Sequence, residues 1–235
     1  MTLDEVMADL EAHAKPSHKK TYLRHGAKEP FWGVPISHLK IIQKKVKKNH
    51  ELALALYATG NSDAMYLAGL IAEPLKMTKA QLKAWMKGAS WEYLSGFTVP
   101  WTASESKFGR ELALEWMKSK DEQTSSAGWS TYSSLVAIEP DGELDLDEIA
   151  NLLDRVPKEI GKAANRTKYW MNGFVIAVGG YVEPLLPKAK AVAKRLGQVA
   201  VDMGDTDCKV PEATAYIAML EGKGRIGKKR KMAIC

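Results

Sequence analysis

Apolar residues recur along almost the whole chain at the spacing of a helix face, and most recurrences carry their own start and stop signals. Thr2 and Glu5 stand at capping-box spacing ahead of Val6 and Leu10, and Pro16 closes that segment. Ser37 can cap a helix with Leu39, Ile42 and Val46 inward and Lys40, Lys44, Lys47 and Lys48 mostly outward. Gly60 stops the next helix, and Ser62 can start another through Leu67, Ala68 and Ile71. Thr78 caps a helix through Leu82, Trp85 and Met86, and Ser90 one through Tyr93 and Leu94 that must end by Pro100. Helical spacing continues over 105–118, 122–138, 145–156 bounded by Pro157, 166–181 and 185–196, and Pro211 suits the first position of a last helix.

Strand patterns are almost absent. Val199 and Val201 alternate too briefly and run into "DMGDTD", a turn sequence. Around a dozen short helices joined by short loops predict an all-α chain, either an irregular bundle or an α-solenoid of antiparallel pairs. No internal repeat of fixed period and no low-complexity linker interrupts it, so residues 1–235 read as one domain. "EPDGELDLDE", from Glu139 to Glu148, reads as a polar turn and a helix start, where carboxylates meet the positive end of the dipole.

Charge adds a partner class. The formal charge of +6 favours an anionic partner. The C-terminal stretch from about 222 to 235 places six basic residues in the ten positions from Gly222 to Lys231. Two cysteines without a CxxC pair, and no secretory leader behind Met1, predict a reducing cytoplasmic location. No apolar run has the length of a membrane span. The five histidines fall in the first fifty residues without HExxH spacing, and Asp202, Asp205, Asp207 and Cys208 have the composition of a turn, so no metal site is expected. No Gly-rich loop follows a strand, so no cofactor is expected either, and the chain reads as a monomer.

"FWGVPISHLKIIQKKVKK", from Phe31 to Lys48, resembles the "FGVPxxxLRxIAK" stretch of the AlkD-like DNA alkylation repair family. Weaker similarity continues in order through "NSDAMYLAGLIAEPL", "WEYLSGF", "GWSTYSSLVA" and "NRTKYWMNGFVIAVGGYVEPL". The resemblance implies a HEAT-like α-solenoid of antiparallel helix pairs, forming a curved superhelix around duplex DNA. Family members that excise alkylated purines resemble one another in a Trp followed four residues later by Asp, an Arg on a following helix and a late Trp. Trp91 matches the first, but Ser95 stands at the carboxylate position, Tyr132 at the Arg position and Ile176 at the late Trp position, with Trp170 about one and a half turns upstream.

The missing carboxylate bears on chemistry. Cleaving the glycosidic bond puts positive charge on the sugar, which a fixed carboxylate stabilises, and losing such a group commonly costs ~10²–10³ in rate. Serine offers only a dipole. Glu92 points away on an ideal helix, whereas Glu105 or Asp121 could supply a carboxylate in another register. What remains suits nucleic-acid binding: Trp91, Trp129, Tyr132 and Trp170 for stacking, Arg166, Lys168 and Asn172 around a helix start, and Lys209, Lys228, Lys229 and Arg230 for phosphates. The function expected is recognition of duplex DNA, damaged or distorted, through phosphates and shape. Two alternatives stand beside it, an alkylpurine glycosylase with a non-standard catalytic group and a HEAT-like scaffold for acidic proteins.

Overall fold

The computed structural model describes residues 1–234, with Cys235 outside the described residues, and contains thirteen α-helices and no strand among them. These residues form two compact units. The first comprises Met1–Lys107 with Gly204–Thr206 and Ile234; the second comprises Phe108–Met203 with Asp207–Ala233.

The first unit holds α1 (Leu3–Ala12), α2 (Pro16–Arg24), α3 (Ile36–Val46), α4 (His50–Ala58), α5 (Ser62–Ile71), α6 (Lys79–Gly88) and α7 (Val99–Ser104). Helix α5 is apolar on nearly every side, and every residue of it except Tyr66 is buried. An all-round apolar helix must be enclosed by others. Accordingly α1, α3, α4 and the segment before α7 pack against it. Gly69 permits one of these approaches, because a Cβ there would lie 2.4 Å from the Thr98 methyl.

The second unit holds α8 (Gly109–Trp116), α9 (Glu122–Ile138), α10 (Leu146–Glu159), α11 (Asn165–Tyr181), α12 (Leu186–Leu196) and α13 (Ala213–Gly222). Helix α11 is its centre, packed by α9, α12 and α13. Trp129, Tyr132, Phe174, Leu153 and Val178 lie in one core cluster. Burying each large apolar side chain contributes ~1.5–3 kcal/mol.

Several local signals act as read. Thr2 with Glu5, and Thr78 with Gln81, form complete capping boxes. Gly60 takes a φ of 70° after α4. Other boundaries move. Pro16 closes nothing and instead opens α2, where its missing N–H costs no helical bond. Helix α3 starts at Ile36 with no side-chain cap, and Asn61 rather than Ser62 caps α5. Pro100 does not end its helix, because Tyr93–Thr98 form a π turn and the N–H of Val99 reaches Leu94. The wider i→i+5 pattern absorbs the proline's lack of an N–H. Pro157 lies in the last turn of α10, which ends two residues later at Glu159.

Candidate nucleic-acid interface

The motif around Phe31 is fastened from beneath. Both carboxylate oxygens of buried Asp63 accept backbone N–H groups: Oδ2 from Trp32 at 2.7 Å and Gly33 at 2.9 Å, Oδ1 from Val34 at 3.1 Å. Burial pushes the Asp63 carboxyl above its ordinary range, while the three N–H groups and Lys19 pull it back. Gly33 turns the loop with φ 81°, and a Cβ on it would lie 2.5 Å from the backbone nitrogen of Lys19. The Tyr22 hydroxyl donates to the Val34 carbonyl at 3.1 Å. The two stretches "FWGVP" and "NSDAM" therefore meet as one structural joint between the α2–α3 loop and the start of α5.

Trp91 and Ser95 lie at the π turn of the same unit. Ser95 is fully enclosed, at 0% exposure, and its hydroxyl donates to the Trp91 carbonyl at 3.1 Å. Trp91 is buried too, stacked on Tyr93 at 4.4 Å and 17° and set 5.5 Å from Tyr22. The rings continue through Tyr66, Phe97 and Trp101. Tyr66, Tyr93 and Phe97 are only partly buried, so they form the accessible edge of this aromatic group. No carboxylate occupies the Ser95 position. Of the alternatives, Asp121 is engaged in capping α9, where its Oδ2 accepts from the N–H and hydroxyl of Thr124 at 2.8 and 2.7 Å. Glu105 follows α7 and, with Glu73, helps Lys48 keep its proton against burial, which lowers that lysine's pKa.

The second unit takes several of the expected contact residues into its interior. Trp129 and Tyr132 are each 1% exposed and pack on Phe174, so neither offers a face to a base. The Tyr132 hydroxyl donates to Glu148, which also receives the Arg110 guanidinium at 2.8 and 2.9 Å. Burial first, and then Glu148, pushes the Tyr132 hydroxyl well above its ordinary range. Asn172 is buried and donates to the Pro211 carbonyl at 2.8 Å. It positions the chain before α13. Gly179 and Gly180 make room for Ile217 and Leu220 of α13, so the missing side chains on α11 admit a neighbouring helix.

The start of α11 is not an open anion seat. The Arg166 N–H donates to the Glu122 carboxylate at 2.6 Å, and the Arg166 guanidinium is turned toward the Met203 sulfur at 3.4 Å. Asn165 holds Asp202 by two hydrogen bonds, of 2.6 and 2.8 Å. Lys168 borders a separate depression with Gln198 and Val199, and Trp170 packs edge-on to Tyr169. Lys209 is exposed.

The basic terminus is docked. The Lys229 ammonium donates to the Val136 carbonyl at 2.8 Å and pairs with Asp141 at 2.8 Å, and the Arg230 N–H donates to the Ala137 carbonyl at 2.8 Å. A cation at the last carbonyls of α9 complements the negative end of its dipole. Lys223, Arg225, Lys228 and Lys231 remain exposed.

A cleft of about 600 Å³ in the second unit went unnoticed in the sequence. Lys120, Lys158 and Lys162 are exposed around it, and Trp129, Met117 and Met171 line its apolar part. Arg155 lies 5.4 Å over the Trp129 ring and is held by Glu159 at 2.7 Å. The i,i+4 spacing of Lys158 and Lys162 was the one local signal; Lys120 comes from a different part of the chain.

With this geometry in place, the chain belongs to the DNA alkylation repair enzyme family, whose model matches residues 6–175. It is 35% identical over 223 residues to uncharacterized proteins of Listeria innocua and Listeria monocytogenes, covering 92% of this chain and 96% of each relative. It also matches a solved structure over the full length of both chains, at 40% identity and a TM-score of 0.91. That structure is described as a new family of proteins related to the HEAT-like repeat DNA glycosylases, with affinity for branched DNA structures. The fold is thus all-α and of the HEAT-like repeat type. Among the described residues no helix is long and apolar enough to cross a membrane.

Proposed function

We propose that this protein binds duplex DNA that is branched or otherwise distorted, holding it through phosphates and shape, and that it does not excise alkylated bases. The observation carrying this reading is the full-length likeness to a structure described as having affinity for branched DNA. Ser95 supports the second half. It is enclosed and bonded to the Trp91 carbonyl, where a carboxylate would be needed to stabilise a cationic sugar. Exposed Lys120, Lys158 and Lys162, together with the exposed cations of the terminus, supply charge for phosphates rather than base-edge readout. On this reading the protein acts as a monomer in the cytoplasm; the sparse cysteine content supports the reducing location.

The test compares a labelled four-way junction with a linear duplex of equal length by fluorescence anisotropy over a range of salt. Tighter binding of the junction, weakening as salt rises, is expected. Equal, salt-independent binding of both, or capture of acidic proteins without DNA affinity, overturns the reading. In parallel, DNA carrying N-methylpurines should release no base. Excision at the rate of relatives that keep the Asp would instead establish a glycosylase with its catalytic group elsewhere.

A further inference from the structure

Apart from any DNA surface, α1 and α3 bring together three side chains of metal-binding chemistry. Asp9 of α1 and His13, the residue at that helix's C-cap, are four residues apart, and His38 reaches them from the first turn of α3. Nε2 of His38 lies 2.7 Å and Nδ1 of His13 2.9 Å from the same oxygen, Oδ1 of Asp9. The two imidazole rings stack at 3.6 Å with 16° between their planes. All three ligand atoms fall within 4.8 Å of one another. Asp9 and His38 are largely enclosed, at 16% and 13% side-chain exposure, whereas His13 is open at 47%.

We infer that Asp9, His13 and His38 form a three-ligand site for a divalent transition-metal ion of the zinc class. Two imidazole nitrogens and one carboxylate oxygen are a donor set that such ions take, and the open His13 side leaves room for water at the remaining position. Calcium and magnesium, which prefer all-oxygen shells, are poorly matched. Ligand atoms ~2.0–2.1 Å from a tetrahedral ion stand roughly 3.3 Å apart, so the two Asp9–imidazole separations have to widen by about half an ångström and the stacked rings have to turn out of parallel for both nitrogen lone pairs to meet on the ion. His13 has the freedom to make that shift, giving up its 2.8 Å contact with the Asp9 carbonyl. Lys45 is the nearby opponent, its ammonium 3.9 Å from Oδ2 of Asp9. The sequence concealed the site, because the i,i+4 pair lacks its third ligand until α3 folds against it.

The rival explanation is a hydrogen-bonded tie between α1 and α3 with no affinity for metal. Untagged full-length protein, stripped with a chelator, is titrated with Zn²⁺ alone against a chromophoric competitor, and with Co²⁺ while its visible absorption is recorded. One ion per chain is expected. His13→Gln and His38→Gln should each weaken binding by at least ~10-fold, since the loss of supporting groups around a metal alone costs ~10–100-fold. Lys45→Gln should tighten it. His38→Gln risks loosening the packing of α3, so the deciding variant is His13→Gln, whose side chain is open to solvent. Zn²⁺ should raise the melting temperature of the wild type, and at equal concentration raise that of His13→Gln clearly less. No uptake by the wild type, or uptake that His13→Gln leaves intact, overturns the assignment.

Discussion

Replacing Asp63 by Asn keeps one oxygen for Trp32 and Gly33 but turns an amide N–H toward that of Val34, because both carboxylate oxygens accept. A buried donor left without an acceptor costs ~1–3 kcal/mol, and Asp63→Asn should lose that much stability. Chemical denaturation checks it: the midpoint should fall while the slope stays constant, and an unchanged midpoint would show that the joint at Gly33 is held otherwise. The partners of Asp63 were illegible in the sequence, since they lie about thirty residues upstream in an irregular loop. Trp129, Tyr132 and Asn172 show the same limit from the other side. Residue types suited to nucleic acid stood at helical spacing, but which face of each helix met the core was decided by neighbours. Ser95 was legible as a missing carboxylate; its enclosure was not.

Contacts between helices set the tolerance for small residues. At Gly128 of α9 a Cβ would lie 2.5 Å from the Met117 nitrogen and 2.8 Å from the Ala113 carbonyl oxygen, both backbone atoms at the end of α8. Backbone cannot swing aside, so α8 and α9 would have to part. Overpacking of this kind costs ~1–3 kcal/mol and outweighs the ~1 kcal/mol gain in helix propensity. Gly128→Ala should therefore lower the denaturation midpoint. Gly173 of α11 is the contrast, with nothing nearer to an added Cβ than a Trp170 ring carbon at 3.8 Å. Gly173→Ala should raise the midpoint by up to ~1 kcal/mol in stability. Equal effects at the two sites would mean that helix propensity alone governs both. Most elements were legible because capping and periodicity act within a few residues. The exceptions were α2, opened by a proline that reads as a stop, and the helix through Pro100, where a π turn replaces the expected end.

For the whole molecule, the net charge of +6 says that polyanions are attracted without saying where. The structure separates anchored cations from available ones. Lys229 and the Arg230 backbone hold the terminus against the end of α9, so replacing them would confuse docking with DNA contact. Two variants avoid this. One replaces Lys223, Arg225, Lys228 and Lys231 by Gln; the other replaces Lys120, Lys158 and Lys162 around the cleft. Each phosphate contact contributes about −0.9 to the slope of log K against log salt on duplex DNA, so either variant should flatten that slope by ~2–3 units if its surface meets DNA. An unchanged slope removes that surface from the interface. Helix content by circular dichroism must match the wild type in both.

The order of amino acids is enough to establish that the chain is helical, where most helices start, which family it resembles, and that the expected carboxylate is absent. Those properties are written in residues close together along the chain, where spacing, capping and proline act. Tertiary structure alone decided which aromatics are core, which helix start is already capped by a carboxylate, and which cations are spent on docking. Each of those answers depends on a partner distant in sequence: Glu122 for Arg166, Asp63 for Gly33, His38 for Asp9, and Val136 for Lys229, ninety-three positions away. A side chain's exposure and hydrogen-bond partners are set by what folds against it, and local pattern carries no record of that.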